Sequence, residues 1–102
     1  MPFKIKNYLF FMSMKITTVI SFNIESKFEE WVKIFDSKEA DLRQFEFDIK
    51  PFFRVLSKDD PKKIICINQA QEGNIQKFVQ ANIKWIEKHK VDFCTMEESS
   101  WI

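Results

Sequence analysis

Glycine is almost missing from this chain: Gly73 is the only one in 102 residues. Phosphate-cradling loops and dinucleotide fingerprints need several glycines for tight turns and close backbone approach, so both nucleotide-binding classes are excluded. The G-x-S-x-G nucleophile elbow goes with them. Histidine is also single, at His89, and the two cysteines are Cys66 and Cys94. That leaves too few soft ligands for a metal site, and no cofactor is expected. Each cysteine sits in an apolar, strand-like run, which reads as a reduced small hydrophobe in a cytoplasmic protein in preference to a disulfide. Charge is balanced, with 16 basic and 15 acidic residues and a net +1, so no bulk field recruits nucleic acid or an anionic membrane. Long hydrophobic runs are absent as well. The five apolar residues Tyr8 to Met12 fall far short of the roughly 20 that span a bilayer.

What is present is the material of a folded domain. Hydrophobic residues make up 45% and charged residues 30%, a balance that supports a core and excludes a disordered chain. One domain over residues 14–102 is expected, large enough to fold without staples. Residues 1–13 look different and lack the longer apolar region and small-residue cleavage site of a signal peptide. They are expected to be an extension, either a disordered segment or an upstream start that the cell does not use, with Met12 and Met14 close to the first strand.

The stretch Phe53 to Ala70 places the rest. Two apolar runs, Phe53 to Leu56 and Ile64 to Ile67, flank a polar connection with Asp59-Asp60-Pro61, where the chain should reverse. Upstream, Lys15 to Ile24 alternates as a strand: Ile16, Thr18, Ile20, Phe22 and Ile24 share one face, and Thr17, Val19, Ser21 and Asn23 the other. Ser26 and Glu29 have the spacing of a capping box ahead of a helical stripe of Phe28, Trp31, Val32 and Phe35. Asp36 and Ser37 can stop that helix and cap a second piece from Lys38 to about Phe45. The next strand spans Ile49 to Ser57 and is entered through Pro51, as suits a sheet edge. A third strand, Lys63 to Ala70, is apolar on both faces. Gly73-Asn74 then open a helix with an inner stripe of Ile75, Phe78, Val79, Asn82, Ile83 and Ile86. A fourth strand is expected over Val91 to Glu97, followed by a short tail.

The resulting order predicts an α+β, ferredoxin-like βαββαβ two-layer sandwich with an antiparallel sheet in the order 4-1-3-2. All helices then cover one face. The other face carries apolar residues in either register and is expected to pack against a second copy, making a homodimer.

Trp31 followed by Phe35-Asp36-Ser37, Phe53-Arg54 leading to Asp59-Asp60-Pro61-Lys62-Lys63, and a strand ending Gln69-Ala70 resemble the dimeric α/β-barrel superfamily. More narrowly they resemble a small uncharacterised family of cyanobacterial proteins, a domain of unknown function. The resemblance runs from about Met14 to Trp101. Where many relatives have a glycine after the first helix, this chain has Phe45-Glu46-Phe47. The superfamily holds cofactor-independent quinone-forming monooxygenases, haem-degrading enzymes, stress-responsive proteins and members without known activity, so the resemblance implies a fold and no single reaction. No Asn, Trp and His set of the haem-degrading branch carries over to residues of this chain.

Weak catalytic candidates are His89, Asn23 and Arg54. His89 could exchange protons near neutrality, or simply meet the last carbonyls of its helix, the commoner role at such a position. Asn82 interrupts an apolar stripe and reads first as a buried amide satisfied by backbone. Arg54 could hold a carboxylate, or form an ordinary salt bridge from an edge strand. Thr17, Val19, Ser21 and Asn23, with Arg54, are the possible lining of a cleft on the open sheet face. The third strand lacks the aromatics and glycine of an RNA-recognition sheet, which removes that reading. Two functions remain: a dimeric module binding a small apolar ligand between sheets, or a cofactor-independent monooxygenase-like enzyme using the same cleft. Mass spectrometry of the native protein is expected to find a start at Met12 or Met14; a peptide beginning at Met1 or Pro2 would exclude an unused upstream start.

Overall fold

Alternation in Ile16–Ile24 (β1) sends Thr18, Ile20, Phe22 and Ile24 inward, and all four are buried. The computed structural model describes residues 15–102; the 1–13 extension lies outside the described residues. After β1 come Phe28–Phe35 (α1), Lys38–Phe45 (α2), Lys50–Leu56 (β2), Lys63–Ala70 (β3), Asn74–Lys88 (α3) and Val91–Trp101 (β4). The sheet is antiparallel in the order β2-β3-β1-β4. This is the expected ferredoxin-like plan, with the first crossover helix broken in two.

The break has a local cause. Ser37 is extended, and its Oγ accepts from the Ala40 amide at 3.2 Å while donating to the Ile34 carbonyl at 2.5 Å. One hydroxyl therefore closes α1 and opens α2. The expected capping box at Ser26 and Glu29 does not form. Lys27 precedes α1 without a side-chain cap, and its carbonyl takes the Glu30 and Trp31 amides at 3.1 Å. Phe28 is the first helical residue and stacks on Trp31 at 6.2 Å, so aromatic packing sets where the helix begins.

Trp31, 1% exposed, is the centre of the core. Its ring meets Phe22 of the sheet at 5.6 Å and Phe35 at 4.5 Å, and Phe35 meets Trp85 of α3 at 4.9 Å. Removing a buried aromatic of this kind costs about 3–5 kcal/mol. The stripe on α3 is interrupted at Asn82, whose backbone leaves helical values (φ −116, ψ 15). Its amide is buried; Nδ2 donates to the Phe78 carbonyl at 2.9 Å, and Oδ1 accepts from Arg43 at 2.7 Å. The buried stripe runs Ile75, Phe78, Asn82 and Ile86, and Ile83, 42% exposed, lies outside it, contrary to expectation.

β4 runs to Trp101 instead of stopping at Glu97. Its polar residues 97–100 show no apolar alternation, yet they pair with Ser21 through Thr18 of β1. Ahead of them the register jumps: Asp92 to Glu97 lies against only Asn23 to Ser21. The extra residues bulge, held by Thr95, whose Oγ1 accepts from the Asn23 amide at 2.8 Å and donates to the Asp92 carbonyl at 2.7 Å. The bulge leaves Cys94 exposed, unlike buried Cys66; both thiols are free.

Gly73 starts α3 at φ +87, and a Cβ placed there meets nothing within 4 Å. Only the left-handed backbone then opposes a side chain. Gly73→Ala is expected to destabilise the fold by about 1 kcal/mol, and Gly73→Asn by less, in urea-unfolding midpoints.

Candidate functional site

Side-chain parity divides the sheet into two surfaces. On the helix side, β3 contributes Ile64, Cys66, Asn68 and Ala70, all buried. Between this surface and the helices lies a cavity of about 60 Å³. Its walls are mostly apolar, with Phe22, Trp31, Phe35 and Phe78 prominent, and its polar members are Gln44, Arg54, Cys66 and Asn68.

Arg54 reaches this site because Phe53 and Val55 pair with Ile67 and Ile65, which turn away from the helices. Arg54, between them, pairs with Cys66 and points toward α1 and α2. The expectation that Arg54 joins the open sheet face is thus corrected. Its side chain is 10% exposed and pairs with Asp36 at the end of α1, whose own side chain is 55% exposed. A second nitrogen donates to Gln44 Oε1 at 3.2 Å. A small outer hollow of about 150 Å³, bordered by Asp36 and residues 51–53, also touches Arg54. The guanidinium therefore stands between an inner cavity and the surface.

Two further features define the chemistry of the cavity. Burial pushes the Cys66 thiol up to about 12, against the opposing pull of the Arg54 charge, so this sulfur is a neutral group at physiological pH. Trp31 lines the cavity, and its indole N–H is buried without a hydrogen-bond partner among the described residues. Buried donors are nearly always paired, which makes this one notable.

Thr17, Val19, Ser21 and Asn23 lie together on the opposite, open face, as their alternation requires, each half-buried. His89 is elsewhere, at the end of α3, edge-on to Trp85 at 5.1 Å and to Phe35 at 6.4 Å. The three weak catalytic candidates are thus not brought together: Asn23 is on the open face, Arg54 under the helices and His89 at the helical end of the core. Gln44, Asn68 and Asp36 were absent from the sequence-based candidates. The parity of Ile64, Cys66, Asn68 and Ala70 was a signal for Asn68; nothing local marked Gln44 or Asp36. Among the described residues no three of His, Cys, Asp or Glu cluster as a metal site, and no helix is long and apolar enough to cross a membrane.

A family model described as "Domain of unknown function (DUF3764)" matches residues 14–102. Among solved structures, the fold is similar to a NIPSNAP family protein with unknown function from Agrobacterium tumefaciens. That match has a TM-score of 0.59 and 8% identity, covering 86% of each chain. A second NIPSNAP family protein from the same organism matches with a TM-score of 0.60 and 12% identity, over 86% of this chain and 91% of that one. At such identities the likeness is one of fold alone, the ferredoxin-like plan described above. No curated protein matches the sequence.

Desolvation, then the neighbouring Lys88 charge, lowers the His89 pKa below its ordinary 6.5. The unfolded chain therefore binds this proton more readily than the folded one. The His89 contribution to stability is full above 6.5 and is lost as pH falls below that value and through the lower folded-state pKa. Thermal melts between pH 8 and 5 are expected to show a small decline on the acid side that His89→Gln flattens.

Proposed function

From the premise that the chain belongs to the DUF3764 family, which brings no activity with it, we propose that it is a homodimeric binding module, two copies packing through their open sheet faces. One observation carries this reading: the apolar residues of that face are contiguous across three strands. Phe53, Ile67 and Val19 form one row in register, and Val55 with Ile65 forms the start of the next. Phe53 is 60% and Val55 47% exposed, on a face that no helix among the described residues covers.

Around this patch the face is mostly polar. Lys50, Gln69 and Thr17 form a row at one end that finishes at Trp101, 62% exposed, and Ser21 continues the Val55–Ile65 row to Glu97. An apolar centre with a polar rim is the composition of a protein interface, and a twofold axis lets one patch serve both copies. Burying a Phe or Ile side chain contributes about 1.5–3 kcal/mol each, so a few such residues per copy outweigh the loss of rotational freedom only when both faces take part. Binding is favoured over catalysis because Asn23, Arg54 and His89 occupy three separate surroundings. A ligand role for the module rests on the helix-side cavity, where Gln44, Arg54 and Asn68 meet apolar walls, more than on the space between sheets.

Sedimentation equilibrium at micromolar concentration is expected to give twice the 12.3 kDa chain mass. Ile67→Asp, which leaves the helix-side core untouched, is expected to give a folded monomer with unchanged far-ultraviolet circular dichroism. A monomeric wild-type protein would overturn the reading.

A further inference from the structure

We infer that Arg54 anchors a short-chain carboxylate, whose apolar tail occupies the cavity between Trp31 and the sheet. The inference rests on the binding-module reading, but not on the dimer, because every group involved belongs to one copy.

Charge selects the class of ligand. Among the described residues, Arg54 is the only charged one lining the cavity. Its guanidinium is nearly buried, and two of its five N–H donors are engaged, one by Asp36 and one by Gln44. Trp31 adds a buried donor with no partner among the described residues. The guanidinium and the indole together leave donors to spare, which suits an acceptor-rich anion, and the Asn68 amide can adapt to it with its own NH2. Cys66 does not compete for Arg54, since its thiol is neutral at physiological pH.

Position supplies the mode of exchange. Asp36 is mostly exposed while Arg54 is mostly buried, so the pair is lopsided. The aspartate can swing into water at little cost, whereas the guanidinium cannot follow it. An incoming carboxylate takes the same fork of donors in bidentate geometry. The outer hollow of about 150 Å³ beside Asp36 is the approach, and Arg54 borders both spaces. Size limits the tail. A cavity of about 60 Å³ is well below the roughly 150 Å³ of one that takes a benzene ring, so it takes a short aliphatic tail.

The test is a titration of 15N-labelled protein with sodium butyrate, read at the Trp31 indole N–H by nuclear magnetic resonance. A saturable shift in the millimolar range is expected, with none from 1-butanol or butylamine at equal concentration. Asp36→Asn removes the internal competitor at an exposed position and is expected to tighten butyrate binding at least threefold. Arg54→Gln is expected to abolish the saturable shift; should that variant not fold, Asp36→Asn still decides. An unmoved indole, an equal response to butanol or butylamine, or an Asp36→Asn protein that binds no tighter would each overturn the inference. The monomeric Ile67→Asp protein is expected to bind butyrate as the wild type does. A wild-type monomer that binds butyrate would therefore overturn the dimer and leave the pocket standing.

Discussion

The packing of one indole holds this fold together. Trp31 lies between the sheet, through Phe22, and the helical layer, through Phe28 and Phe35, and Phe35 passes the contact on to Trp85 in α3. Among the described residues, α1 and α2 are eight residues long each and α3 is kinked. An aromatic chain compensates, because each ring buries about 150–250 Å² and prefers defined angles to its neighbours. Among the described residues the same ring leaves its N–H without a partner. Close packing of the hydrocarbon and satisfaction of the polar edge pull against each other there, and packing has won.

That conflict organises the chemistry of the molecule. The sheet separates two environments whose polar groups never meet. Beneath the helices, Arg54, Gln44, Asn68 and Cys66 share a small cavity with Trp31; on the far side, Val19, Ile65 and Ile67 present an aliphatic surface flanked by hydroxyls and amides. A reaction that needed Asn23, Arg54 and His89 together would have to reach through the sheet. Recognition on one side and association on the other need no such crossing.

Much of the fold was legible because the informative residues act locally. Alternation in β1, the hydroxyl of Ser37, the Asp-Pro connection before β3 and the left-handed Gly73 each report on their own few residues. Misreadings came where a distant partner decides. The side taken by Arg54 follows from which neighbours pair with Ile65 and Ile67, a fact of register that β2 alone does not contain. The length of β4 is set by the backbone ladder of β1, which Glu97 to Ser100 join without any hydrophobic pattern of their own. Ile83 lies outside because the buried stripe runs Ile75, Phe78, Asn82, Ile86, with Asn82 held inward at a kink by Phe78 and by Arg43, 39 residues away. The candidate cavity was hidden for the same reason: its polar members come from α2, β2 and β3.

The near absence of glycine reaches further than the function classes it excludes. Two turns adopt left-handed backbone without it, Asp48 before β2 at φ 54 and Lys90 before β4 at φ 72. Such conformations cost roughly 1 kcal/mol for residues that carry a Cβ. A side chain there also narrows the unfolded ensemble, and replacing a glycine in this way stabilises by about 0.4–1 kcal/mol where the geometry is tolerated. The two effects are similar in size and opposite in sign, so net stability changes little. What changes is stiffness. Both residues donate their amides back to the preceding helix, Asp48 to Phe45 and Lys90 to Glu87, each at 3.0 Å. The joints leading from helix to strand thus behave as set corners, and any yielding between the two layers falls to the helices themselves.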